Sequence, residues 1–283
     1  MTYLEKTKLA FSKFSTNVGG GVKEKGETVK VRLAGSLTAQ DKSTPGKIAK
    51  QDANYASVLV TLNKVAAVKI GQNDLERSTS DLTIESDFVV PAFEAINEQI
   101  MQDVLGLATT ANGFDTDETD IAAGSVTADT MANIRRKLSE NKVPGANRIG
   151  ILSPEVIESL QTDGAIQNAA AFGNSSAVQD GKVEKVSGIS CFEHTGTIPT
   201  NSENMHSIVV HPQAFAIAAR EIAEPDAGTY AGQVRSAVSA TGIPFQIRRY
   251  YDMETEEQVI EWQVFYGVAV GQAAAAIRLI DTP

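Results

Sequence analysis

Between Ile84 and Leu107 an apolar side chain returns every three or four residues: Ile84, Phe88, Ala92, Ala95, Ile96, Ile100, Val104 and Leu107. Glu94, Asn97, Glu98, Gln102 and Asp103 fall on the other side. The spacing predicts one long helix with a single stripe to bury, spanning roughly 35 Å at 1.5 Å per residue. Pro91 fits such a helix only in its first turn or at a kink, with Ser86-Asp87 as an alternative cap. A second feature matches it in reach. Ile260, Trp262, Val264, Tyr266, Val268 and Val270 occupy alternate positions, predicting a strand of about 40 Å. Helix and strand can form the two layers of one elongated α+β domain, with residues 144–245 between them as a compact α/β unit.

A chain of 283 residues, 42% of them apolar, has material for one large core or two ordinary ones. The leading residues carry Lys6, Lys8 and Lys13 with no apolar run and no small-residue cleavage site, so neither export nor membrane insertion is expected. The lone cysteine, Cys191, excludes an internal disulfide and fits a reducing cytoplasm; close to Ile189 and Phe192 it reads as a small core residue.

Charge is unevenly spread. Residues 1–80 hold 13 Lys+Arg against 7 Asp+Glu, whereas residues 81–283 hold 12 against 28. A basic leading segment therefore precedes an acidic body. Two solvated surfaces would explain this; so would a basic segment lying on the acidic surface of a neighbouring copy, where complementarity sets register and association rate. Nucleic-acid gripping is disfavoured, because the cations are dispersed without an arginine cluster or interleaved aromatics.

Residues 1–27 have few apolar side chains and include Gly19-Gly20-Gly21, which reads as an arm. Thr28–Leu33 alternates as a half-buried strand, 34–57 is polar with a Pro45-Gly46 turn, and alternation returns from Val58 to Ile70. This predicts a two-stranded excursion with a loose tip. A two-stranded ribbon alone is marginal in water, so something must hold it, most simply another copy of the chain. The contacts expected are Lys8, Phe11 and Phe14 in the arm, and Val29, Val31, Arg32, Lys42, Lys47, Lys50, Val58, Val60 and Arg77 in the excursion. Further on, Thr127 opens a helix with Met131, Ile134 and Leu138, and Arg148–Ser153 reads as a buried strand leading through Pro154 into a helix. Residues 163–181 read as a mobile loop, 183–192 and 207–210 as strands, Gln213–Arg220 as a short helix, and 224–242 as turns.

No catalytic, cofactor or metal motif emerges. Asp115, Asp117, Glu118 and Asp120 fail the calcium-loop pattern, since Asp120 stands where glycine is needed and Val126 where the bidentate Glu belongs, so an acidic turn is expected. Gly21–Thr28 has phosphate-loop glycine spacing but places Glu27 at the lysine position. His194, His206 and His211 are too few and badly spaced for zinc, and read as surface or capping residues. Glu256-Glu257 reads as a solvated hairpin turn.

The order of elements resembles the major capsid proteins of tailed bacteriophages, with the Hong Kong 97 fold. "SVLVTLNKVAAVKIGQNDLERSTSDLTIESDF" is similar to the return strand of the family's extended loop, and "NRIGILSPEVIESL" to its entry into the axial domain. The resemblance implies an N-terminal arm (1–27), an extended β-loop, the E-loop (28–80), a peripheral domain (81–143 and 246–283) with spine helix 84–107, and an axial α/β domain (144–245). It implies pentamers and hexamers in an icosahedral shell around double-stranded DNA, found in the virion and assembled in the host bacterial cytoplasm. It also implies separate scaffolding and portal proteins, a possible decoration protein, and only weak, non-specific DNA contact. Crosslinking through Lys42, Lys47 or Lys50 is not expected. An encapsulin-type compartment of the same fold, or a cytoplasmic α/β enzyme, are the alternatives.

Overall fold

The computed structural model describes residues 16–17, 28–33, 39, 56–79, 88–115, 117–118, 121–166, 183–223, 232–238 and 243–281. Strand β1 (Thr16–Asn17) comes first, followed by β2 (Thr28–Leu33), which pairs antiparallel with β3 (Ala56–Thr61) so that Val29 faces Val60 and Val31 faces Val58. After Leu62-Asn63 the chain resumes as β4 (Lys64–Asn73) and ends in a short exposed helix, α1 (Asp74–Thr79). The long helix is α2 (Val89–Leu105); Pro91 stands in its first turn, where its missing N–H costs no hydrogen bond, and Gly106 closes it. Residues 84–87 of the expected helix lie outside the described residues.

Beyond β5 (Asp117–Glu118), helix α3 (Ala128–Glu140) starts at a capping box in which the Thr127 and Thr130 side chains each bond the other's backbone N–H. Strand β6 (Ile149–Leu152) is wholly buried and leads through Pro154 into α4 (Pro154–Thr162), as its apolar run and N-terminal proline dictate. The hairpin β7 (Lys185–Val186) and β8 (Ile189–Glu193) turns at Ser187-Gly188, both at positive φ. Strands β9 (Met205–Val210), β10 (Phe215–Arg220), β11 (Gln233–Val238), β12 (Pro244–Asp252), β13 (Glu257–Val270) and β14 (Ala276–Ile280) complete the chain.

Among the described residues two six-stranded sheets and the β2–β3 ribbon result. The first sheet runs β1-β10-β13-β12-β11, with β4 along the opposite edge of β13; the second runs β5-β14-β9-β6-β8-β7. Helix α2 lies in one apolar core with both sheets: Ile96, Ile100 and Val104 join Trp262, Val264 and Tyr266 of the first and Ile151, Ile208 and Val210 of the second. The other face of the second sheet is covered by Met131, Ile134 and Leu138 of α3 and Val156, Ile157 and Leu160 of α4, with Cys191 among them. The sheets interleave across the boundaries expected at 144 and 245. Strands β10 and β11 sit in the sheet of β13, while α3 and β14 accompany β6, β8 and β9.

Three expectations give way to the fold. Gln213–Arg220 is not a helix: its alanines favour one, but Phe215–Arg220 pairs with β13 over its full length. Phe215, Ile217 and Ala219 enter the main core while Ala216 and Ala218 face Val60 and Leu62. The expected turn region 224–242 contains β11, held by six pairings to β12. The strand expected from Val58 to Ile70 breaks at Leu62-Asn63, giving its first half to the ribbon and its second to the sheet.

Candidate inter-subunit surfaces

The ribbon does not wait for another molecule to cover its base. Val60 is fully buried and Leu62 nearly so, packed on Ala216 and Ala218 of β10, with Val29, Val58, Phe265 and Ala269 around them. The chain's own sheet thus covers the apolar side of the ribbon that was expected to need a neighbour. What makes this possible is Gly267, where any β-carbon would strike the Thr61 carbonyl. The ribbon passes over β13 at that glycine and turns into β4 on the sheet's edge.

Of the expected contact residues, Val29, Val58 and Val60 are therefore brought together on the sheet-facing side of the ribbon, and Arg77 is exposed in the last turn of α1. Val31 and Arg32 belong to β2, and only their backbone is described; Lys8, Phe11, Phe14, Lys42, Lys47 and Lys50 lie outside the described residues, as does 167–181 of the expected loop. Other side chains present themselves. Leu59 is 61% exposed on the far side of the ribbon, Val65 56% on β4, Leu75 73% on α1 and Met253 86% in the β12–β13 turn. Leu75 and Met253 each stand alone between two acids, Asp74-Leu75-Glu76 and Asp252-Met253-Glu254, a sequence signal for an apolar side chain that no core stripe claims.

The polar side of α2 is not a solvent face. Glu94 is 7% exposed, Glu98 accepts a hydrogen bond from the Thr197 N–H at 2.9 Å, and Asp103 pairs with Lys64 Nζ at 2.8 Å and accepts from the Tyr266 hydroxyl. Asn201 Nδ2 donates to the Leu105 and Ala108 carbonyls at the helix end. Burial, then the Asp103 carboxylate, push the Tyr266 hydroxyl well above the usual phenol range, so it stays a donor. Beside this tie a groove of about 510 Å³ opens between β4 and α2, lined by Ala66, Ala95 and Gln99 together with Lys64, Asp103 and Tyr266. It is lined by an ion pair and a phenol.

Of the acids read as a turn, Asp117 and Glu118 are turned inward, Asp115 is exposed, and Asp120 lies outside the described residues. Asp117 meets the fully buried Arg278 with both oxygens, and Glu118 pairs with Lys137 at 3.1 Å. Of the histidines, His194 and His211 are buried and His206 is half-buried; His211 Nδ1 accepts from the Gln213 N–H at 3.3 Å, and His206 Nε2 lies 2.9 Å from the Ile121 carbonyl. Burial pushes the Cys191 thiol up to about 11, which makes it a poor nucleophile. Among the described residues no three metal-ligating side chains gather at one point, and no helix is long and apolar enough to cross a membrane.

No family model matches the chain, and no curated protein matches it by sequence. Solved structures do. The capsid of cyanophage P-SCSP1u superposes at TM-score 0.68 and 14% identity, covering 99% of this chain and 90% of its own. The chain has the Hong Kong 97 capsid fold. A Mycobacterium phage Che8 structure matches at TM-score 0.65 and 15% identity over 99% of this chain and 94% of that one. The mature capsid of bacteriophage PhiM1 matches at TM-score 0.61 and 13% identity over 100% and 90%. Helix α2 lies within the stretch 84–107 expected as the spine helix, and β2–β3 within the stretch 28–80 expected as the E-loop. Identities this low carry the architecture without the side chains, so the ties at Asp103, Glu98 and Arg278 are described for this chain alone.

Proposed function

We propose that this chain is the major capsid subunit of a tailed phage, a structural and non-catalytic protein that assembles with copies of itself into an icosahedral shell around double-stranded DNA. The observation that carries the reading is coverage in both directions: chains from phage capsids superpose on 99% or more of this one and are themselves covered to 90% or more. No large piece is left over for another activity. Pentamers and hexamers, separate scaffolding and portal proteins, and a possible decoration protein belong to the same proposal, as does a place in the virion after assembly in the host cytoplasm. The sheet of β4, β10, β11, β12 and β13 with the spine helix would form the peripheral domain, and the sheet of β6, β8 and β9 with α3 and α4 the axial domain.

An acidic chain suits such a container. With 35 Asp+Glu against 25 Lys+Arg, its wall repels phosphate on balance, so packaged DNA can slide along it. Neighbour contacts are proposed for the arm at Lys8, Phe11 and Phe14, for the loop at Lys42, Lys47 and Lys50, and for the exposed Arg77 and Leu59.

Expression of the chain followed by sedimentation and electron microscopy tests the reading. Closed particles or capsomers are expected, and deleting residues 40–54 should lower particle yield while circular dichroism of the subunit is unchanged. A discrete monomer under all assembly conditions would sink it. Particles that carry a protein cargo in place of nucleic acid would move the reading to an encapsulin-type compartment.

A further inference from the structure

Where β6 and β8 begin, the second sheet carries an open hollow of about 540 Å³, bounded by the 145–149 segment, by Lys185, Gly188, Ser190 and Phe192 of the β7–β8 hairpin, and by Pro212. That is the size of a small-ligand site. Lys185 stands opposite Ser190 and Ser190 opposite Ile149, in one row across β7, β8 and β6, and Phe192 follows on the same face. The row offers a cation, a hydroxyl and an apolar floor. The chain as a whole is acidic, with 35 Asp+Glu against 25 Lys+Arg, yet the charged residues lining this hollow among those described, Arg148 and Lys185, are both cations. Glu184 and Glu193, beside it in sequence, are not among them.

Arg148 adds a second observation. It is 4% exposed, and its guanidinium donates to the Arg135, Val143 and Pro144 carbonyls and to the Ser139 hydroxyl, all of them neutral. Arg278, also buried, meets two carboxylates. The carbonyl end of α3 offsets about half an elementary charge, and among the described residues no acid meets the rest. Burial and then the neighbouring Arg135 both work against the Arg148 charge. A buried cation without a counter-charge is costly, and an anion in the adjoining hollow would lower that cost. We propose that the hollow binds a small phosphomonoester with an apolar or heteroaromatic body, the class of a nucleoside monophosphate. Lys185 and the Ser190 hydroxyl hold the phosphate; Arg148, whose N–H groups are committed to the end of α3 and the turn after it, supplies field alone. The body lies along Ile149, Phe192 and Pro212. Inorganic phosphate would leave this wall and most of the volume unused.

The hollow lies within one chain, so the proposal stands or falls apart from the shell reading. Titration calorimetry of the full chain with adenosine monophosphate, adenosine and inorganic phosphate tests it. The nucleotide is expected to bind saturably, and the other two at least roughly tenfold more weakly. Lys185→Glu should weaken nucleotide binding by roughly tenfold or more, and Ser190→Ala by about threefold, while circular dichroism and melting of the free variants match the parent. Should Lys185→Glu not fold, Lys185→Gln takes its place. Bound nucleotide should slow amide exchange at 146–149 and 188–190. The proposal is overturned by the absence of saturable binding, by binding that the Lys185 variant leaves unchanged, or by protection confined to another part of the chain. Inorganic phosphate binding as tightly as the nucleotide would overturn the role given to the apolar wall.

Discussion

The α-carbon of Gly267 faces the carbonyl of Thr61 so closely that no side chain fits between them. Here the ribbon crosses the longest strand of the first sheet, and both partners are backbone, which cannot swing aside. Gly267→Ala should cost about 1–3 kcal/mol, the range for forcing a methyl into a packed site. The loss should fall on the ribbon. Amide exchange at Val58–Thr61 is expected to quicken while exchange in the Ile96–Val104 stretch of the spine helix stays as it was; equal protection in both would show that the crossing has slack.

Arg278 is fully buried and uses all its donors: Nε and Nη2 on Asp117, Nη1 on Glu203 and on the Ala108 carbonyl at 3.1 Å, and Nη2 also on Thr110 Oγ1 at 3.0 Å. It ties β14 to β5, to the end of the spine helix and to the 201–204 turn. Arg278→Met leaves two inward-facing carboxylates without their cation and is expected to lower stability by about 3–5 kcal/mol in urea unfolding. Adding Asp117→Asn should recover part of the loss, because the two positions share one interaction.

Tyr266→Phe removes the hydroxyl that Asp103 accepts but leaves Lys64 beside the carboxylate. A loss of about 1–2 kcal/mol is expected for this hydrogen bond to a charged acceptor. Asp103→Asn alone should cost a similar amount, and the double variant less than the two together. Strict additivity in thermal melts would mean that Tyr266 and Asp103 do not share one interaction.

Acid should loosen the fold in two stages. Burial lowers the proton affinity of His206 and, together with Arg148, of His211, below their ordinary value of 6.5. The unfolded chain takes up those protons first, so stability is full above about pH 6.5 and declines as pH falls below it. Asp163, held low by the Ala128 and Ala165 N–H groups, adds a further loss at lower pH; so does Glu203, whose burial works upward but is outweighed by Thr110 and Arg278. Both carboxylates contribute stability above their unfolded values, and it is lost as they protonate in the fold. Melting temperature is expected to drop between pH 7 and 5, and the combined His206→Gln, His211→Asn variant should flatten that first drop.

Elements with a strong period were legible in the sequence. The long helix α2, the long strand β13, and the Thr127 and Pro154 helix starts stand within a few residues of where spacing and caps place them. Phe215–Arg220 misleads because alanine's helix preference is a local quantity, and the room that Ala216 and Ala218 leave for Val60 and Leu62 is not. Of the contacts expected between copies, Val58 and Val60 are spent inside the chain and Arg77 is exposed, whereas Leu75 and Met253, which no periodicity claims, stand out in solvent.

Periodicity, composition and capping were enough to specify the α+β class, the two long elements and the basic-to-acidic polarity, because each depends on residues within a few positions of one another. Whether an apolar face is covered by its own molecule or left for another depends on which strand lies across which. Gly267 admitted the ribbon onto its own sheet, and the turn of the β12–β13 hairpin carried Met253 beyond the reach of any core. The first of these belongs to a pair about two hundred positions apart, Thr61 and Gly267, where steric contact in three dimensions has no local trace.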